Sequence, residues 1–238
     1  MHYAGLVPCI ISSITAYKIA GIFGIPPVNF SISMQPLSAP IMIKAIILAV
    51  LCALVSILFC LAIKKCEHFM HKTVPNRYFR AVVGGFLIIG LTYATGTFDY
   101  NGAGMDVITR ALQGNARYEA FILKIIFTAI TISAGFKGGE IVPTFFIGST
   151  FGCVAGALLG LDAGFGAAIG FVSLFCGVVN CPIASILLAL EVFGADSILV
   201  MATVCAVSFM MSGYFGLYES QKIVYSKISE DEIDIYTK

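Results

Sequence analysis

Residues Gly135–Gly160 read GFKGGEIVPTFFIGSTFGCVAGALLG, a glycine- and proline-marked turn that opens into an apolar helix. Pro143 falls at the expected first helical position, where its missing N–H is no loss. The start of a helix presents unpaired backbone N–H groups and about half a positive charge, so it can hold an anion without a lysine or arginine. Downstream, Gly148, Gly152, Gly156 and Gly160 recur every four residues and make a surface suited to close helix contact.

The surroundings of this stretch are as apolar as the stretch itself. Hydrophobic residues make up 59% of the 238-residue chain and charged residues 11%, with a mean hydropathy of +0.96. This excludes an ordinary soluble domain and predicts an all-α, polytopic membrane protein. The formal net charge is +1, and no basic stripe with interleaved aromatics is present, which excludes nucleic acid as a partner. Eight cysteines (9, 52, 60, 66, 153, 176, 181 and 205) are scattered through apolar segments without CxxC spacing, so they read as small buried hydrophobes.

Apolar runs separated by glycine, proline and charge predict the helices. Leu6–Phe23 is the first, read as a mature helix rather than a signal peptide, followed by a long run from Pro40 to about Cys66. The segment from Lys64 to Arg80 carries Lys64, Lys65, Lys72, Arg77 and Arg80 against Glu67, and as a basic loop it belongs on the cytoplasmic side. Ala81–Thr95 is the next helix. Tyr100–Gly114 is too polar to face lipid and predicts a short helix against protein or at the surface. Further helices are predicted over Phe121–Ala134, from Pro143 to about Leu159, and over Gly164–Val179, Pro182–Phe193, Ser197–Met211 and Leu217–Ile228, with a polar, solvated tail at 229–238. Short helices interrupted by glycine or proline are the pattern of transporters whose broken helices meet around a substrate.

The segment Gly138-Gly139-Glu140-Ile141-Val142-Pro143 resembles the GGxFxP-type anion-site motif of the CLC family of chloride channels and proton-coupled anion exchangers. PIASILLALE at Pro182–Glu191 is similar to that family's AP-L-T-G-I-I-L-x-L-E helix, and Leu217-Tyr218-Glu219-Ser220 resembles the LYS-type start of its final helix. GFKGGEIVPTFFIG looks closest to the prokaryotic fluoride-exporting branch, although Val142 stands where threonine is common there. The resemblance implies a CLC-type transmembrane domain over residues 1–228, the last helix of the first inverted repeat plus the complete second repeat, with 229–238 as a polar cytoplasmic tail. It also implies chloride or fluoride transport in exchange for protons, a homodimer in the lipid bilayer, and a prokaryotic plasma membrane location. The GSGIP- and GREGP-like segments of the family's first repeat are not found in residues 1–238, so this chain is expected to supply the C-terminal half of the pathway. An alternative is a non-transporting fragment or assembly subunit that complements an N-terminal half in trans. No GxSxG, HExxH or paired acids at helical spacing support an enzyme, and no cofactor is implied.

The resemblance makes Gly139, Glu140, Ile141, Val142, Pro143, Phe146 and Tyr218 the anion-binding candidates. Backbone amides around Ile141 and Val142 suit a desolvated halide, which needs donors but would be trapped by a fixed full charge. Glu140 reads two ways, as a proton-handling or gating acid or as a carboxylate complementing the helix dipole. Tyr218 could donate its hydroxyl to the anion from the opposite side, or sit as an interfacial ring like Tyr214 and Tyr225. Of Phe145 and Phe146, at least one should only pack. Glu191 reads as a structural intramembrane acid that needs a partner. Lys124 and Arg110 read as snorkelling or loop charges. His68 and His71 share a helical face but lack further metal ligands, and Asn29-Phe30-Ser31 matches a glycosylation acceptor.

Overall fold

The computed structural model describes residues 5–25, 30, 32, 35, 38–229 and 231–237. Asn29 and Ser31 of the glycosylation pattern, and Pro26-Pro27 after the first helix, lie outside the described residues. Nine α-helices and one two-stranded sheet are formed among the described residues: α1 (Leu6–Ile22), α2 (Ala39–Thr73), α3 (Arg77–Thr95), α4 (Met105–Leu112), α5 (Ala120–Ser133), α6 (Ile141–Leu158), α7 (Ala163–Val179), α8 (Pro182–Phe193), α9 (Ile198–Met211), β1 (Lys222–Tyr225) and β2 (Glu232–Tyr236). The chain is mostly helical, and α2, α3 and α6 are long and apolar enough to cross a membrane.

Punctuation of the sequence explains most of the boundaries. The Asn76 side chain caps α3 by accepting from the Tyr78 amide at 3.0 Å, and Asp162 caps α7 by accepting from the Phe165 amide at 2.9 Å. Gly96 ends α3 at φ 64° and Asn180 ends α7 at φ 58°, both in the left-handed region that closes a helix. The segment read as a basic loop from Lys64 is instead helical: α2 continues to Thr73, and only a short turn separates it from α3. No proline or glycine interrupts Ile41–Thr73, and lysine and glutamate are good helix formers, so the amphipathic end simply prolongs the rod. Its 35 residues span about 52 Å, beyond the ~30 Å hydrocarbon core, so the charged end protrudes.

At the centre stands α7, buried from Gly164 to Val178, with α2, α6, α8 and α9 packed around it. Its closest partner is α6. A Cβ built on Gly148 would lie 2.4 Å from the Gly170 carbonyl oxygen, and one on Gly152 would lie 2.3 Å from that of Gly166. Gly156 meets the Gly166 backbone in the same way, so three of the four regularly spaced glycines make the contact. Gly160 differs: at φ +73° it lies beyond the end of α6. In a bilayer, where lipid is as apolar as leucine, this backbone approach supplies the van der Waals contact that holds helices together.

The final helix expected at Leu217–Ile228 does not form. After α9 the chain turns, and β1 pairs antiparallel with β2, with Lys222 opposite Tyr236 and Ile223 opposite Ile235. Alternation is the reason: in Glu-Ile-Asp-Ile-Tyr the isoleucines turn to the half-buried side while their neighbours stay exposed. The 229–238 segment is therefore not wholly a solvated tail. Lys222 and Asp234 form an ion pair across the hairpin at 2.7 Å. Side chains then fasten it to the helices: Asn180 Nδ2 donates to the Phe215 carbonyl at 2.8 Å, and Lys227 Nζ donates to Asn180 Oδ1, to the Phe209 carbonyl at 2.9 Å and to Ser212 Oγ at 3.0 Å.

Candidate functional site

The helix that follows the double glycine starts at Ile141, two residues before the expected point, so Pro143 is its third residue rather than its first. The shift costs no hydrogen bond, because the first four helical N–H groups have no intrahelical acceptor anyway. Among the described residues, the amides of Gly139, Glu140, Ile141 and Val142 donate to no local carbonyl or side chain.

Two hollows meet this turn. The larger, about 640 Å³, is walled by Gly138, Gly139, Val142 and Pro143, by α5 from Lys124 to Ile132, by α3 and by the turn at Tyr100–Ala103. The smaller, about 60 Å³, is lined by Glu140 with Lys64, Glu67 and Glu219. Lys64 Nζ stands 3.9 Å from a Glu219 carboxylate oxygen, so one lysine faces three acids there. Successive residues of the turn thus face different environments, the glycines and Val142 a mainly apolar hollow and Glu140 a charged one. Glu140 occupies the N-cap position of α6 yet makes no side-chain hydrogen bond to the helix, so the hydrogen-bonded form of capping is not realised.

Phe145 and Phe146 part company. Phe145 stacks on Phe171 with ring centroids 4.2 Å apart and planes nearly parallel, which makes it a packing residue. Phe146 is wholly buried behind the large hollow, edge-on to Tyr100 at 6.3 Å and beneath Lys124 Nζ, 4.8 Å from its ring centroid. Gly104 is required beside it: at φ +71°, a Cβ there would lie 2.6 Å from the Phe146 ring. Tyr218 is partly exposed in the turn after α9 and lines neither hollow, although its neighbours Leu217 and Glu219 both line the small one with Glu140.

Glu191 is exposed on α8 and makes no hydrogen bond or ion pair among the described residues, so the expected internal partner is not found. Arg110 is a surface charge, paired with Asp99 at 2.9 Å. Lys124 is not a snorkelling residue: it is 2% exposed, and its ammonium donates to the carbonyls of Tyr100 at 3.1 Å and Gly102 at 2.6 Å. Its stem points into the protein because the turn at Tyr100–Gly102 offers carbonyls that lipid could not. A lysine within the otherwise apolar run of α5 was the available signal, since ionisable groups inside membrane helices are functional by default. His71 pairs with Glu67 at 3.8 Å, and no cluster of three metal ligands exists among the described residues. All eight cysteines are free. Five are buried as expected, whereas Cys9 is exposed and Cys66 and Cys181 are half-buried.

Apolar helices packed around α7, with α2, α3 and α6 long enough to cross a bilayer, define a multi-pass membrane protein. The chain matches the family model described as voltage gated chloride channel over residues 1–213, and it belongs to that family. It is 31% identical over 234 residues to a chloride/fluoride channel protein of Pseudomonas syringae pv. tomato, covering 95% of this chain and 52% of the relative. It is 24% identical over 205 residues to an uncharacterized protein of Methanocaldococcus jannaschii, covering 82% of this chain and 50% of that one. The crystal structure of a CLC-type fluoride/proton antiporter shares its fold with a TM-score of 0.86 at 27% identity, covering 91% of this chain and 55% of that one. The CLC family and fold inferred from the resemblance are borne out, whereas the helix start expected at Leu217–Ser220 is not formed. The chain spans about half the length of the curated relatives it matches.

Proposed function

We propose that this chain supplies one half of a transmembrane pathway for chloride or fluoride, with the anion held at the start of α6 and exchanged for protons. The carrying observation is the set of unpaired amides from Gly139 to Val142 beside a hollow of about 640 Å³. Backbone donors at a helix N-terminus suit a dehydrated halide, since they offer hydrogen bonds and partial positive charge yet permit release. Gly139, Val142 and Pro143 form the cradle on the wall of the hollow, Ile141 adds its unpaired amide, and Phe146 packs behind Tyr100 and Lys124. Tyr218 is the proposed donor on the opposite side, supported by its neighbours Leu217 and Glu219, which line the hollow of Glu140. Glu140 is the proton-handling acid, in keeping with its missing cap bond and its charged hollow. The exposed apolar residues Ile183, Leu187 and Leu199 on α8 and α9 suit a homodimer in a prokaryotic plasma membrane.

Liposome efflux read with fluoride and chloride electrodes tests the proposal, alongside calorimetric anion binding to the purified chain. The chain alone is expected to bind anion weakly and to carry no selective flux. Flux is expected when a complementary first-half segment is reconstituted with it. Robust efflux from the 238-residue chain alone would refute the half-pathway reading, and absence of anion binding would refute the site.

A further inference from the structure

Lys124 has no part in the helix-terminus chemistry described above, yet it is among the most deeply buried large side chains of the protein. Lys124 lines the same hollow as Gly139, Val142 and Pro143, and so do Tyr100 and Gly102, whose carbonyls hold its ammonium. Two of its three N–H donors are taken by the Tyr100 and Gly102 carbonyls, which leaves one. No carboxylate pairs with it among the described residues. A buried cation without a counter-charge is strongly unfavourable, and two carbonyl dipoles solvate it without neutralising it. The long stem could have carried the charge to the membrane surface, as buried lysines near helix ends do. Instead the sequence keeps it inside, with the Phe146 ring 4.8 Å away adding a favourable contact that also leaves the charge intact.

We infer that Lys124 is the fixed positive charge of this hollow and sets its affinity for a small monovalent anion, which completes the neutralisation of the ammonium. The inference rests on the anion reading above and adds a side-chain charge to a site otherwise built from backbone. The carbonyls of Tyr100 and Gly102 moderate that charge, so the anion is attracted without being trapped. Lys124 and the α6 amides then act together across one space, the first as a full charge and the second as dipoles.

The test is calorimetric binding of potassium fluoride and potassium chloride to the purified chain in nanodiscs, for wild type, Lys124→Gln, Lys124→Arg and Arg110→Gln. Glutamine keeps a donor for the carbonyls but removes the charge, and it is expected to weaken binding by on the order of tenfold or more. Arginine is expected to hold affinity within roughly threefold, and Arg110→Gln, which removes a paired surface charge, to leave it unchanged. Thermal unfolding of each variant reports any purely structural role. Wild-type affinity in Lys124→Gln overturns the inference while leaving the anion site standing. Equal loss in the Gln and Arg variants, with a matching fall in thermal midpoint, also overturns it by making the lysine a packing element. No anion binding by the wild type removes both the site and this role.

Discussion

Replacing Gly152 with alanine adds one methyl group where α6 crosses α7. The new Cβ would lie 2.3 Å from the Gly166 carbonyl oxygen and 2.8 Å from the Gly170 Cα, both backbone atoms that no rotamer change can move. Ordinary contact begins near 3.4 Å, so the helices must part by about 1 Å. A gap of that size forfeits a quarter to a half of each dispersion contact along the seam. Overpacking of this kind costs about 1–3 kcal/mol, and alanine's better helix propensity returns about 0.5–1 kcal/mol. At the middle of both ranges the expected net loss is about 1.25 kcal/mol, roughly an eight-fold change in the folded-to-unfolded ratio. Equilibrium unfolding of the purified protein in mixed micelles measures it. Gly90→Ala is the control: it lies inside α3 with nothing within 4 Å of the built Cβ, and it is expected to be neutral or slightly stabilising. Gly152→Ala as stable as wild type, or Gly90→Ala equally damaging, would show that backbone approach does not hold the two helices together.

The remaining expectations concern the hairpin, the acid and the aromatic pair. Asn180→Ala removes the bonds to Phe215 and Lys227 and puts a Cβ-bearing residue without a side-chain partner at φ 58°, for a cost of roughly 2–4 kcal/mol. Amide hydrogen exchange across Lys222–Tyr236 should quicken, and unchanged protection would show that the hairpin does not depend on this link. Glu140→Gln should shift stability by less than about 0.5 kcal/mol, since no cap bond is lost, while altering the pH dependence of anion flux in the assembled pathway. A fall in thermal midpoint with flux untouched would restore the helix-dipole role. Phe145→Leu should cost about 1 kcal/mol through loss of the stack on Phe171 and leave fluoride binding as it was. Weakened binding there would move Phe145 from packing into the pathway.

Membrane residence, the order of the helices and the turn at Gly138–Pro143 were legible because each rests on local features: apolar runs, glycine and proline punctuation, and charge at helix ends. The glycines at 148, 152 and 156 announced a close contact, and their partners proved to be Gly166 and Gly170 of α7. The missed hairpin had a local signal too, the alternation in Glu232–Tyr236, which the resemblance to a final helix obscured. Lys124 could be flagged from α5 as an ionisable residue in an apolar helix, but not placed.

What the sequence alone determined is that this protein lives in a bilayer, with a helix opening just after the double glycine at 138–139, and that its motifs resemble those of the family it belongs to. Apolar length and backbone punctuation impose membrane residence and the helix boundary whatever the neighbours do. Tertiary structure alone decided that Glu140 and Val142 face different hollows and that Lys124 turns inward to the Tyr100 and Gly102 carbonyls. A side chain's electrostatic surroundings come from segments distant in sequence, and only packing brings those segments together.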